Sequence, residues 1–95
     1  MQIEITARHF SPSDNLKEMV NDKIKKIEKF NHEIMNCKVI LSKENNGENV
    51  DIIAHGKGYN FVAREKGDNF ERALISAVEK ITIQVKKQHD KVVSH

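Results

Sequence analysis

The stretch Asn69–Lys91, NFERALISAVEKITIQVKKQHDK, decides the fold because one side of it forms an apolar face. With about 100° between successive helical residues, its apolar side chains fall together on that side. They are Phe70, Ala73, Leu74, Ala77, Val78, Ile81 and Val85. This face is wide enough to lie on a β-sheet, so the stretch predicts a sheet-packed helix.

A row of basic and amide side chains runs along one edge of this apolar face. Its members, spaced i, i+4, i+7 and i+11, are Lys80, Gln84, Lys87 and Lys91. A linear array of positive charge is suited to contact with a phosphate backbone. The alternative is that the row is only the solvated margin of an amphipathic helix. This helix alone leaves both interpretations open.

Length and composition predict one domain, spanning residues 1–95. Hydrophobic residues make up 38% of the chain and charged residues 32%, which is typical of a globular domain. No apolar run approaches the ~20 residues of a membrane span, and the first residues carry charges where a signal peptide would be apolar. The single Cys37 forms no internal disulfide, as in a reducing compartment. We therefore expect a cytoplasmic protein.

The charges are segregated along the chain although the net charge is only +2. Lysines are concentrated between residues 23 and 29 and again from residue 80 onward, and most acidic residues lie elsewhere. Both lysine-rich segments fall in predicted helices. Such segregation favours binding to a polyanion more than the net charge does.

The first part of the chain predicts a strand followed by a helix. Residues 2–9 alternate between apolar and polar side chains. Ser13 is a candidate N-cap for a helix from Asp14 to about Phe30. Lys23 falls inside the apolar sector of this helix and must extend its ammonium to the rim, where Lys26 also lies. Either Lys23 merely covers apolar surface, or both lysines join the row of the last helix in one basic strip.

The middle of the chain predicts three further strands. Their inward-facing residues are Met35, Cys37, Val39 and Leu41, then Val50, Ile52 and Ala54, and finally Tyr59, Phe61 and Ala63. Turns are predicted at Glu44–Gly47 and Gly56–Gly58. The fold class is therefore α+β, a βαβββα single domain. Two helices pack on one face of a four-stranded mixed sheet, with the first two strands parallel.

Catalytic constellations are not evident in the sequence. The five histidines lie on different predicted elements without metal-ligand spacing, and Cys37 faces the predicted core. No phosphate-binding glycine motif is present. Few aromatic residues occur, and no pair of them falls on the open sheet face, which disfavours base stacking there. We expect no enzyme activity, no metal and no cofactor, but binding through a shaped basic surface.

At the level of whole motifs, the chain resembles the short ribosome hibernation promoting factors, in the family that includes the ribosome-associated translation inhibitors. The resemblance rests on the strand ending in Arg8, the helix LKEMVNDKIKKIEKF, the Asn-Gly hairpin and the closing EKITIQVKKQHDK. It covers essentially the whole chain and implies a fold similar to that of double-stranded-RNA-binding domains.

The resemblance also implies a function. Such proteins occupy the channel for messenger RNA and tRNA anticodon arms on the small ribosomal subunit. They thereby silence translation in stationary or stressed cells, and the short type promotes inactive ribosome dimers. The implied partners are the small subunit, its rRNA and the whole ribosome, with a monomeric free protein, no membrane and no small-molecule substrate. By position, the implied rRNA contacts are Lys23, Lys26, Lys80, Gln84, Lys87, Lys91 and, as a weaker candidate, Arg8.

Three positions depart from the family pattern. Ile75 stands where members commonly have Asp, and Ile83 and His89 stand where they tend to have basic residues. Ile75 and Ile83 fall on the predicted outer side of the last helix. Two alternatives to ribosome silencing remain. One is a stand-alone double-stranded-RNA-binding module, and the other is a protein-interaction adaptor that uses the outward isoleucines.

Overall fold

The computed structural model describes the backbone of residues 1–30 and 33–93, and the side chains of residues 1–29 and 33–88. Within these ranges the chain forms four strands and two helices in the order βαβββα. They are β1 (Gln2–Arg8), α1 (Asp14–Phe30), β2 (Asn36–Glu44), β3 (Gly47–Gly56), β4 (Tyr59–Gly67) and α2 (Phe70–Val93).

The strands form one sheet in the order β1-β2-β3-β4. β1 runs parallel to β2, and the two hairpins β2–β3 and β3–β4 are antiparallel. The parallel pair requires a crossover, which α1 supplies. β1 and β4 are consequently the edges of the sheet. The predicted fold class and strand directions are confirmed.

Side-chain caps hold the beginnings of both helices. The Ser13 hydroxyl accepts a hydrogen bond of 3.1 Å from the Leu16 N–H, which confirms the predicted N-cap of α1. At α2 the Asn69 amide oxygen accepts from the Arg72 N–H at 2.9 Å. Each cap satisfies one of the first-turn donors that have no partner within the helix.

The core lies between the helices and one face of the sheet. Every buried residue among those described is apolar or a thiol, apart from Gly56 at the end of β3. Both helices and the sheet contribute to the core, and an example on the sheet is the cross-strand set Val39, Ile52 and Ala63. The alternation of buried and exposed side chains along β2 and β4 follows the predicted strand period.

The prediction that Met35 faces the core is wrong. Met35 is 57% exposed, and the neighbouring Ile34 is buried in its place. β2 begins only at Asn36, so the strand alternation that places Cys37 inside does not extend back to residue 35. The Met35 backbone instead joins the sheet at its end, donating to His55 O at 2.8 Å and accepting from Gln2 N at 3.0 Å.

The first hairpin turn explains why residue 47 is a glycine. Asn45 and Asn46 are the central turn residues, and Gly47 pairs with Glu44 as the first residue of β3. Gly47 has φ +151°, and a Cβ there would lie 2.8 Å from the carbonyl oxygen of Gly67. A side chain at this position would therefore push β4 away from β3.

Candidate nucleic-acid interface

α2 lies over β3 and β4 with its predicted apolar face buried. Phe70, Leu74 and Ile81 are among its core residues, and Val78 is half-buried at the margin. The beginning of the helix is also attached to the sheet, because the Phe70 N–H donates to the Glu48 carboxylate at 2.9 Å. This attachment and the buried face together fix the direction in which every outward side chain of α2 points.

Gln84 lies against the free edge of β4. Its amide nitrogen donates to the Val62 carbonyl oxygen at 2.8 Å, and its amide oxygen accepts from the Val62 N–H at 3.3 Å. The side chain thus pairs with a strand residue as a neighbouring strand would. Unpaired groups on an edge strand are a template for association, and Gln84 covers one residue of that template.

Lys80 lies one turn before Gln84 and is also held by β4. Its ammonium is 2.7 Å from the Glu65 carboxylate, which is only 19% exposed. The positive charge of Lys80 is therefore largely balanced by a fixed neighbour. Because an ammonium has three donors, Lys80 can still bind a phosphate while it contacts Glu65.

The remaining members of the row continue toward the end of α2. Lys87 is exposed, and no hydrogen bond or ion pair engages it among the side chains of residues 1–29 and 33–88. Lys91 belongs to α2, but its side chain lies outside the described residues. Of the described members of the row, Lys87 is thus the one whose charge is available without competition.

Of the two predicted lysines of α1, Lys26 lies on the side of the helix toward α2. Lys23 is half-buried, as expected for a lysine whose stem covers apolar surface, and Lys26 is exposed. Lys26 borders a shallow groove between the helices, opposite Val78 and Thr82 of α2.

The interpretation that these lysines and the α2 row form one basic strip is wrong. Lys26 faces the side of α2 that carries Thr82, whereas Lys80 and Gln84 contact β4 on the other side. Residues two apart on a helix point about 200° apart, so Lys80 and Thr82 face opposite ways. A helical wheel shows that the row lies along one edge of the apolar face of α2, but it does not show which edge adjoins α1.

Arg8 lies apart from both groups of lysines. It is exposed at the end of β1 and borders a polar depression with Ser42, Asp51 and Arg64. The strand alternation directs it to the open face of the sheet, away from the helices. A surface that binds one ligand through the helical lysines would not include Arg8.

The buried thiol has the properties of a core side chain. Cys37 is fully buried, and burial raises the pKa of its thiol to about 11, against the opposing effect of the N-terminal charge. A protonated, enclosed thiol is a poor nucleophile.

The described side chains include no cluster of three potential metal ligands. In the described part of the chain, no helix is long and apolar enough to cross a membrane.

Aromatic side chains are directed toward the helical layer. Tyr59 and Phe61 form a tilted pair with centroids 5.1 Å apart, and Phe10 stacks on Phe70 at 5.2 Å. All four strands are described, and no Phe, Tyr or Trp alternates onto their open face. The sheet therefore offers no aromatic platform for bases, as the sequence predicted.

Comparison with known proteins identifies the family. The sequence profile described as "Sigma 54 modulation protein / S30EA ribosomal protein" matches residues 3–93. The chain belongs to this family. The resemblance to the hibernation factor family that the sequence motifs indicated is thereby confirmed.

Two curated proteins are similar to the chain along all or most of their length. A "Ribosome hibernation promoting factor" of Escherichia coli is 27% identical over 95 residues, covering all of both chains. A protein of the same name from Pseudomonas putida is 25% identical over 91 residues, covering 96% of this chain and 89% of its own.

Two solved structures share the fold. The N-terminal domain of Thermus thermophilus Protein Y superposes with a TM-score of 0.82 at 22% identity, covering 92% of this chain and 98% of that one. A ribosomal subunit interface protein from Coxiella burnetii gives a TM-score of 0.87 at 22% identity, covering 94% and 98%. At this identity the likeness supports the fold alone.

The three departures from the family pattern now have positions. Ile75 and Ile83 are 39% and 53% exposed, which confirms their predicted place on the outer side of α2. His89 lies in α2 with its side chain outside the described residues.

Sequence reasoning missed the β4 partners of the row, Glu65 and the Val62 backbone. They lie 15 and 22 residues from Lys80 and Gln84, so no local pattern could indicate them.

Proposed function

We propose that the protein is a ribosome-binding translation silencer that occupies the channel for messenger RNA and tRNA on the small ribosomal subunit. The chain belongs to the S30EA family, and a relative of the same length carries the name ribosome hibernation promoting factor, which supports this assignment. The mechanism is steric occlusion, without turnover or cofactor. Binding to ribosomes would also place the protein in the cytoplasm.

The single observation that carries the proposal is the position of the lysines on the helical layer of a full-length family member. Lys26 is exposed on α1, and Lys80 and Lys87 are exposed on α2. Although they flank α2 on two sides, all three project from the helices, on the opposite side of the sheet from its open face. A helical layer that carries cations on both margins is suited to contact phosphate groups on both of its sides.

Electrostatics predicts how this interface behaves in salt. Each phosphate that a lysine neutralises releases condensed counterions, so affinity falls with a slope of about 0.7–0.9 per contact in a plot of log affinity against log salt. Lys87, without a described partner, contributes a full contact. Lys80 contributes less, because Glu65 lies 2.7 Å away and already balances it.

The test is co-sedimentation of purified protein with ribosomes at low and physiological salt. The double variant Lys26→Glu/Lys87→Glu should lose association, and its unfolding temperature should match that of the wild type because both residues are exposed. Lys38→Glu is the matched control, since Lys38 is exposed on the open face of β2. Unchanged sedimentation of the double variant would contradict the proposal.

The finer parts of the proposal have their own readouts. Promotion of ribosome dimers predicts a faster-sedimenting ribosome peak when the protein is added. A monomeric free protein predicts a single species near 10.9 kDa in sedimentation equilibrium. Tight binding to naked duplex RNA at physiological salt, with no ribosome association, would instead favour the stand-alone RNA-binding module.

A further inference from the structure

We propose that the groove between α1 and α2 receives an unpaired nucleobase of the RNA that the protein binds, an inference that rests on the proposed function. The groove is lined by Lys26, Val78, Glu79, Thr82 and Ile83, and its volume is about 310 Å³. Ile83, 53% exposed, forms its outer wall. The sequence resemblance offers no role for an isoleucine here, because family members tend to carry a basic residue.

The interior of the groove is aliphatic. Val78 and Ile83 contribute only hydrocarbon, and the Thr82 hydroxyl already donates to the Val78 carbonyl at 2.9 Å. The interior of the groove therefore offers few hydrogen bonds to water. A flat apolar ring that leaves water for such a surface gains free energy in proportion to the area covered.

The border of the groove is positively charged. Lys26 lines it on the α1 side. Lys87, on the outward surface of α2, follows Ile83 by one helical turn and lies beyond the outer wall of the groove. Among its lining residues Lys26 is the cation and Glu79 the acid, and Lys87 adds a second positive charge just beyond Ile83. A nucleotide has the complementary structure, with an apolar base joined to an anionic phosphate, and this favours RNA over an apolar protein segment as the occupant.

Glu79 gives the groove a chemical preference. A carboxylate accepts hydrogen bonds, and adenine, cytosine and guanine carry exocyclic amino groups that donate them. In a duplex, one hydrogen of each amino group is used in the base pair, and the amino groups of adenine and cytosine lie in the deep, narrow major groove of A-form RNA, whereas an unpaired nucleotide presents its whole base edge. Uracil has no exocyclic amino group. We therefore expect the bound nucleotide to be unpaired and to carry such a group.

Salt dependence separates base contact from phosphate contact. Ile83→Ser should weaken ribosome binding about 5- to 20-fold at every salt concentration, with the slope against log salt unchanged. Lys87→Gln should instead make the slope shallower. Ile75→Ser is the matched control, because Ile75 is 39% exposed on the same helix but does not line the groove. Wild-type affinity of Ile83→Ser would overturn the inference.

A photo-crosslinking amino acid in place of Ile83 identifies the occupant on intact ribosomes. We expect a nuclease-sensitive adduct that maps to an unpaired adenosine, cytidine or guanosine. An adduct with a ribosomal protein alone, or with a base-paired segment, would overturn the inference while the lysine variants still report on ribosome binding. If the wild type does not bind ribosomes, the proposed function fails, and the inference fails with it.

Discussion

Replacement of Gln84 by alanine separates the two roles that its position allows, a cap on the β4 edge and a contact to RNA. In the structure both polar atoms of the side chain are engaged by Val62, at 2.8 and 3.3 Å. The change removes both hydrogen bonds and exposes the N–H and C=O of one residue on the edge strand. We expect the main effect to be on stability and not on ribosome binding.

The magnitude follows from the exposure of these groups. A protein hydrogen bond contributes about 0.5–1.5 kcal/mol net, and water can reach the freed Val62 groups, so two bonds give about 1–2 kcal/mol. Alanine recovers a few tenths of this amount through its higher helix propensity. The expected loss is about 1 kcal/mol, or roughly 4–8 °C in the unfolding temperature of a domain of this size.

Urea unfolding followed by circular dichroism measures this loss, and Lys87→Ala supplies the control. Lys87 lies on the same row of α2 and is exposed, so its replacement should change stability by less than about 0.5 kcal/mol. Gln84→Ala should also increase self-association at high protein concentration, because an edge residue is uncovered. Equal stability of the two variants would refute the assignment of Gln84 as an edge cap.

Other positions give further tests. Leu74→Ala should lower the free energy of unfolding in urea by about 2–5 kcal/mol because Leu74 is fully buried. Ile75→Ala, at the exposed neighbouring position, should lower it far less, and similar losses would contradict the burial of the apolar face of α2. Asn69→Ala should cost about 1 kcal/mol by removing the cap on the Arg72 N–H. Because the pKa of Cys37 is raised, the folded thiol stays protonated to a higher pH than the unfolded one. The contribution of this thiol to the free energy of unfolding is therefore complete below pH 9.0 and is lost as the pH rises toward 11. Cys37→Ala should lessen the fall in stability over that range, and identical pH profiles would contradict the assignment.

Local patterns were sufficient to predict the fold. Three such patterns are the spacing of Leu74 and Ile81 on α2, the alternation of Val39 and Leu41 on β2, and the Ser13 cap. Each involves residues that are close together in the sequence, so each is visible without knowledge of the tertiary contacts. The error at Met35 arose because β2 begins only at Asn36. Alternation continues only as long as the strand does, and the sequence pattern does not show the residue at which the strand begins.

The candidate site was less predictable because it depends on which elements become neighbours. The lysine row was correctly placed along one edge of the α2 face, but its contact with β4 is a tertiary feature. Glu65 is one of the acids outside the lysine-rich segments, and no local pattern pairs it with Lys80, although their charged atoms are 2.7 Å apart. The groove beside Ile83 exists only where α1 packs against α2, so the sequence showed an outward isoleucine without a role.

The most direct test of the central claim is binding of the protein to purified small ribosomal subunits, empty or already loaded with messenger RNA and tRNA. The account predicts that the protein co-sediments with empty subunits, that rising salt weakens the association, and that loaded subunits exclude it. Equal binding to empty and loaded subunits would contradict occupation of the channel, and no binding to either would contradict ribosome silencing altogether.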